Sequence, residues 1–340
     1  MTAERLDDMD EATRLTRAGR LTEAAAVIQR TLGHERRLAS SPSPPRAVPV
    51  AALPAAGTRG RFLESAFASG GDGLRYKLYV PSGHAERRRP LVVMLHGGTQ
   101  GADDFAAGTQ MNALAEQQGF LVAYPEQSAA ANSMRYWNWF RASDQGRGGE
   151  PALIAGLTQA VTRQYAADAS RVYVAGFSAG GAMAAVMAAT YPDVFAAVGV
   201  HSGLPFGAAH DVPSAFRVMK NGPPGDTRLP GEAIPLIVFH GDRDQTVDGV
   251  NARSLLNQWQ AAADPAGSTS TEFRSTVPGG RAFTQTIHAD GRGERVLLEQ
   301  WVVHGGGHAW SGGDVRGSYT DPLGPAASVE MSRFFRLHHR

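Results

Sequence analysis

The sequence contains no cysteine in its 340 residues. Disulfides, zinc–thiolate sites and a thiol nucleophile are therefore excluded. Nor is there an excess of charge of either sign. The 33 basic side chains face 32 acidic ones, for a formal net charge of +1. Nucleic-acid binding draws on a concentrated basic field, so no nucleic acid is expected as a partner. The basic run Arg87–Arg88–Arg89 reads as a solvated turn ahead of a strand. No apolar run approaches the roughly 20 residues that cross a bilayer, so no membrane partner is expected. The opening stretch, MTAERLDDMDEATRLTRAGR, is charged and shows no apolar h-region. No signal peptide is visible in it, and the cytoplasm is the expected location.

What is present is a chain that is 42% hydrophobic, with 40 glycines and 20 prolines. That suits a large α/β domain rich in tight turns. Residues 9–33 carry Leu15, Ala18, Leu21, Ala24, Ala25, Val27, Ile28 and Leu32 at helical spacing, interrupted at Gly19. They predict a helical hairpin within residues 1–36. A hairpin cannot bury its own apolar face, so it is expected to pack on the main body or on a second copy of the chain. Residues 37–57, RLASSPSPPRAVPVAALPAAG, form a Pro/Ala-rich linker.

Residues 58–340 alternate strands with helices. RYKLYV, PLVVMLHGG, FLVAYPE, RVYVAGFS, AAVGVHSG, PLIVFHGDRD and RVLLEQWVV read as strands. The expected helices run from Asp103 to Gly119, from Pro151, over 180–190 and 251–262, and over about 325–338. Residues 204–232 read as a loop, and a hairpin is expected to turn at Asp290-Gly291. Such alternation predicts an α/β fold with a mostly parallel central sheet and helices on both faces.

The stretch RVYVAGFSAGGAMA places Ser178 where a strand ends and a helix begins. Gly176-Phe177-Ser178-Ala179-Gly180 fits G-x-S-x-G. In that context the pattern marks a sharp turn that lifts a hydroxyl clear of the sheet. A plain capping serine is the alternative. A serine needs a base, and the base needs an acid to hold its tautomer. In this topology the acid and the base follow the serine in that order. Asp244, beyond the turn at Gly241, is the expected acid, and Asp242 is expected to cap the turn. His308, after three glycines, is the expected base, with His304 as the alternative. The oxyanion would be held by the Ala179 amide and by the amide of Gly98 or Thr99 in LHGGTQ.

LVVMLHGGTQ, WNWF, GEPALIAG, RVYVAGFSAGGAMA, HSGLP, FHGDRDQTV and GGGHAWSGG, in this order, resemble the polyhydroxybutyrate depolymerase family of esterases, related to feruloyl and acetylxylan esterases. The resemblance covers roughly residues 60–340. It implies an α/β-hydrolase fold, a serine esterase and no cofactor, and it puts nucleophile, acid and base at Ser178, Asp244 and His308. It also places HGGT at the oxyanion hole and leaves secretion open. Secreted polymer depolymerases of this kind carry cysteines and a polymer-adsorbing domain, which do not show here. Soluble oligomers of poly(3-hydroxybutyrate) and short-chain esters are therefore the expected substrates, with a feruloyl or acetylxylan esterase as the alternative.

An apolar ester calls for an aromatic cleft with few charges. Trp310, Trp137 and Trp139 are the expected substrate contacts, with Ser202 and Leu204 on the same edge of the sheet. Two rival readings belong to other classes. His240, Asp242 and Asp244 spell H-x-D-x-D, a possible metal cluster, but no second group of ligands accompanies it. Alternatively, the helical hairpin would make the chain a non-catalytic scaffold.

Overall fold

The computed structural model describes residues 60–340, except 70, 84–87, 264–268, 292 and 294. The expected helical hairpin and linker lie outside the described residues.

Ten strands form one sheet: β1 (Arg61–Ser69), β2 (Asp72–Val80), β3 (Leu91–Leu95), β4 (Leu121–Glu126), β5 (Val172–Phe177), β6 (Ala197–His201), β7 (Leu236–Gly241), β8 (Thr269–Thr276), β9 (Ala282–Ala289) and β10 (Val296–Val303). Their spatial order is β1-β2-β4-β3-β5-β6-β7-β10-β9-β8. The run from β4 to β10 is parallel, and antiparallel pairs extend it at both ends. A short parallel pair, β11 (Trp310–Ser311) and β12 (Thr320–Asp321), stands apart.

Seven helices are described: α1 (Ala102–Thr109), α2 (Met111–Gln118), α3 (Gly149–Gln164), α4 (Ala179–Thr190), α5 (Val212–Asn221), α6 (Val250–Ala262) and α7 (Ala327–Phe335). Successive strand residues point to opposite faces, and the core divides accordingly. Leu91, Val93 and Leu95 of β3 pack with α3, α4, α5 and α6. Val92 and Met94 of the same strand pack with α1, α2 and α7. The layering is that of the expected α/β fold. Every residue of α4 is buried, which explains its lack of a polar face.

Two local expectations change, and the hairpin expected at Asp290-Gly291 is one of two that β9 forms. The helix from Asp103 to Gly119 is two helices, broken at Gln110 in a left-handed conformation (φ 56°), and the first starts one residue earlier, at Ala102, with Gly101 as N-cap. Residues 204–232 contain α5, which starts with a reciprocal cap: the Asp211 carboxylate accepts the Ser214 amide, and the Ser214 hydroxyl accepts the Asp211 amide. β9 forms hairpins with both β10 and β8, the second through residues 277–281.

Candidate active site

At the carboxyl end of β5 the chain reverses within one residue. Ser178 sits at φ 54°, ψ −118°, a conformation that costs an L-residue about 1–3 kcal/mol. The surroundings hold it there. Its amide donates to the His201 carbonyl at 2.9 Å, and its own carbonyl starts α4 by accepting the Ala182 amide at 2.9 Å. A Cβ on Gly176 would collide with the backbone of Gly180, and one on Gly180 with the Leu95 and His96 carbonyls. Both positions need glycine because strand and helix touch there.

Three side chains from three loops meet at this turn. His308 Nε2 lies 2.9 Å from Ser178 Oγ, and His308 Nδ1 lies 2.7 Å from Asp244 Oδ2. The Asp244 carboxylate is fully buried. Its Oδ1 accepts the amides of Thr246 and Val247, each at 2.9 Å. Burial alone would raise its pKa. The His308 charge and hydrogen bond, the nearby His240 and the Val247 amide outweigh that and hold it at about 2. It is ionised at neutral pH and accepts a hydrogen bond from His308 Nδ1–H, leaving Nε2 free to accept one from Ser178.

The loop after β3 lies beside the serine. His96 Nε2 accepts the Gln127 amide, so Nδ1 carries the proton and donates to the Gly97 carbonyl. The Gly97 amide donates to Gln100 Oε1. The Thr99 amide is spent on the Met134 carbonyl at 2.9 Å. The Gly98 and Ala179 amides have no backbone or side-chain acceptor among the described residues. Gly98 also has the Tyr136 ring where a Cβ would stand.

The two neighbouring candidates form a separate relay. His304 Nδ1 lies 2.9 Å from Asp242 Oδ2, and its Nε2 lies 2.8 Å from Thr284 Oγ1. Asp242 Oδ1 accepts the Gly305 amide at 2.7 Å, and the Arg243 amide donates to the Gly306 carbonyl. These contacts tie the acid loop after β7 to the base loop after β10. His240 is turned elsewhere, its Nε2 donating to the Val247 carbonyl at 2.8 Å. Each of the three H-x-D-x-D residues thus hydrogen-bonds to different partners. Among the described residues, no group of three or more His, Cys, Asp or Glu is arranged to hold a metal ion.

The expected substrate contacts lie in the interior and offer a ligand almost no surface. Trp310 is 2% exposed, packs on His201, Phe105 and Phe177, and donates Nε1–H to Ser328 Oγ. Trp137 is fully buried and donates Nε1–H to the His96 carbonyl. Trp139, Ser202 and Leu204 are buried as well. Large aromatic rings next to a strand end fill the core more readily than they line a cleft. Their place is beneath the loops, holding them.

Sequence reasoning missed Tyr319 and Tyr136. Tyr319 is 44% exposed, lies 6.3 Å from the Phe177 ring and brings its hydroxyl within 3.4 Å of Thr99 Oγ1. Burial, with a smaller contribution from Tyr319, pushes the Tyr136 phenol up to about 12. The Tyr136 phenol is therefore neutral at working pH. The one available signal was an aromatic in the loop following the expected base.

A strained serine at a strand–helix turn, a histidine and a buried carboxylate on a mostly parallel sheet define a serine hydrolase of the α/β-hydrolase fold. The fold is shared with an acetyl xylan esterase from Aspergillus awamori, with a TM-score of 0.58 at 21% identity, covering 78% of this chain and 94% of that one. Residues 74–271 match the family described as esterase PHB depolymerase, and the chain belongs to this family of esterases. It is 35% identical to poly(3-hydroxyalkanoate) depolymerase C of Paucimonas lemoignei over 68% of its own length, and spans 57% of that protein. It is 32% identical to feruloyl esterase B of Neurospora crassa over 64% of its length and 78% of that enzyme. Among the described residues, no helix is long and apolar enough to cross a membrane.

Proposed function

We propose that the chain hydrolyses carboxylic esters through an acyl-enzyme on Ser178. The relay of Ser178, His308 and Asp244, at 2.9 and 2.7 Å, carries this reading. His308 Nε2 takes the hydroxyl proton as Oγ attacks the ester carbonyl. The oxyanion forms between the Ala179 and Gly98 amides. One such donor contributes about 3 kcal/mol in the transition state. His308 then protonates the departing alcohol, and the acyl group stays on Oγ. Water enters, gives its proton to Nε2 and attacks the acyl carbon. The acid leaves, and Ser178 regains its proton.

The rim favours uncharged substrates. Tyr319 meets Thr99 and Phe177, Tyr136 covers Gly98, and the only carboxylate in the relay is buried behind His308. Oligomers of 3-hydroxybutyrate and short-chain esters fit such a rim. The feruloyl esterase relative supports a second reading, a feruloyl or acetylxylan esterase. Assays of purified protein on 3-hydroxybutyrate trimer, p-nitrophenyl butyrate, methyl ferulate and acetylated xylo-oligosaccharide separate the two. The trimer is expected to be the best natural-type substrate. A higher kcat/KM on methyl ferulate or the xylo-oligosaccharide would favour the second reading. No turnover of any ester, with Ser178 unlabelled by a fluorophosphonate, would overturn both.

A further inference from the structure

Away from the relay, a cavity of about 290 Å³ opens at the amino ends of β3 and β5. Ser178 follows the carboxyl end of β5. Six strand residues at about 3.3 Å each put about 20 Å between cavity and serine. Four of the twelve lining residues are arginines (Arg88, Arg89, Arg171 and Arg336), and none is acidic. The rest of the wall is largely apolar. Val92 and Phe120 contribute, as does Tyr173, stacked on Phe335 with ring centroids 4.8 Å apart.

The arginines differ in what they already do. Arg171 is paired with Asp168 at 2.7 Å. Arg89 donates to the Gly119 carbonyl at the end of α2 and to the Gly83 carbonyl, so part of its role is capping a helix C-terminus. Its Nε is buried without a partner. Among the described residues, the guanidinium groups of Arg88 and Arg336 make no hydrogen bond or ion pair. Three positive charges thus face one small space, and no carboxylate in the wall answers them. A purely solvated turn would explain the exposure of Arg88. It would not explain Arg336, which arrives from the end of α7 at the same opening.

We propose that this cavity binds a small organic anion. A phosphate or carboxylate head would take the forked N–H groups of Arg88 and Arg336, with the Arg89 charge beside them, geometry that guanidinium offers to either anion. The apolar body of the ligand would lie against Tyr173 and Phe335. The space suits one ring with its head group, at the small end of ligand pockets, and is too short for a polymer chain.

The test is titration calorimetry on the full chain at fixed ionic strength, with phenyl phosphate, benzoate and neutral benzyl alcohol. Binding is expected for phenyl phosphate, benzoate or both, and the stronger of the two identifies the head group. Affinity should fall at least tenfold in R88A/R336A. Hydrolysis of p-nitrophenyl butyrate should be unchanged in that variant, which also shows that it has folded; R336Q alone serves if the double variant does not fold. Anion binding in S178A equal to wild type would support a site separate from the relay. No heat with either anion, equal affinity for benzyl alcohol, or anion affinity undiminished in the arginine variants would overturn the proposal.

Discussion

Asp244→Asn tests whether the buried carboxylate sets the tautomer of His308. An amide has one oxygen and one NH2 group, so its orientation decides the outcome. Two backbone amides, from Thr246 and Val247, point at the Oδ1 position at 2.9 Å. If the NH2 took that position, two hydrogen bonds would be lost and donors would face donors. Each buried loss costs about 1–3 kcal/mol, so the oxygen stays at Oδ1 by at least about 2 kcal/mol. The NH2 then faces His308 Nδ1, which must become an acceptor. Nε2 carries the proton and can no longer take one from Ser178. His240 Nε2, at 3.6 Å from Oδ2, is too distant to reverse the choice. The fraction of correctly oriented enzyme is then at most about 3%, and loss of imidazolium stabilisation adds to the defect. A fall in kcat of about 10² to 10⁴ is expected. The assay is stopped-flow acylation with p-nitrophenyl butyrate, with folding checked by circular dichroism. A folded variant within fivefold of wild type would refute the tautomer argument.

Asp242→Ala should lower kcat about 5- to 30-fold with little change in KM. It removes two hydrogen bonds that tie the base loop to the acid loop, and each is discounted for the 38% exposure of the carboxylate. Steady-state kinetics decide, and an unchanged kcat would leave the clamp without a catalytic role. Tyr319→Ala should reduce kcat/KM about fivefold more for p-nitrophenyl butyrate than for the acetate, since roughly 1 kcal/mol of apolar contact is at stake. Equal losses on both esters would remove Tyr319 from the acyl site. Stability should also fall below pH about 6.5. Burial lowers the pKa of His96, His201 and His240. The unfolded chain therefore binds protons there that the folded chain refuses, at up to about 1.4 kcal/mol per histidine per pH unit. Urea midpoints at pH 7.5 and 5.5 measure this, and identical midpoints would contradict it.

What the residues revealed in advance follows from what backbone contact demands. Gly176 and Gly180 had to be small because strand and helix meet there, so the turn around Ser178 could be read without coordinates. The strands of the parallel run could be read because both their faces are covered. The break at Gln110 could not, since nothing in its side chain favours φ 56°. α5 was legible in principle. Asp211, Pro213 and Ser214 form a capped start, but a ten-residue helix among prolines and glycines has too weak a period to stand out. The tryptophans mark the limit of composition as a guide. Proximity to a strand end does not say whether a ring faces out or in, and Trp137 and Trp310 both turn inward to support loops.

The two hydroxyl–imidazole–carboxylate relays make the same point about chemistry. Thr284–His304–Asp242 has distances as good as those of Ser178–His308–Asp244. What separates them is the backbone around the hydroxyl. Thr284 lies in mid-strand, paired with Val302 on one side and Arg274 on the other. The neighbouring amides there belong to the ladder, and the side chain is fixed perpendicular to it. Ser178 stands in a strained turn at a helix start, where amides remain unspent because the first turn of a helix has no partners for them. A proton relay can activate either hydroxyl. Only the second has a place for the negative charge that an attack creates, and for that reason Ser178, not Thr284, is the nucleophile we propose.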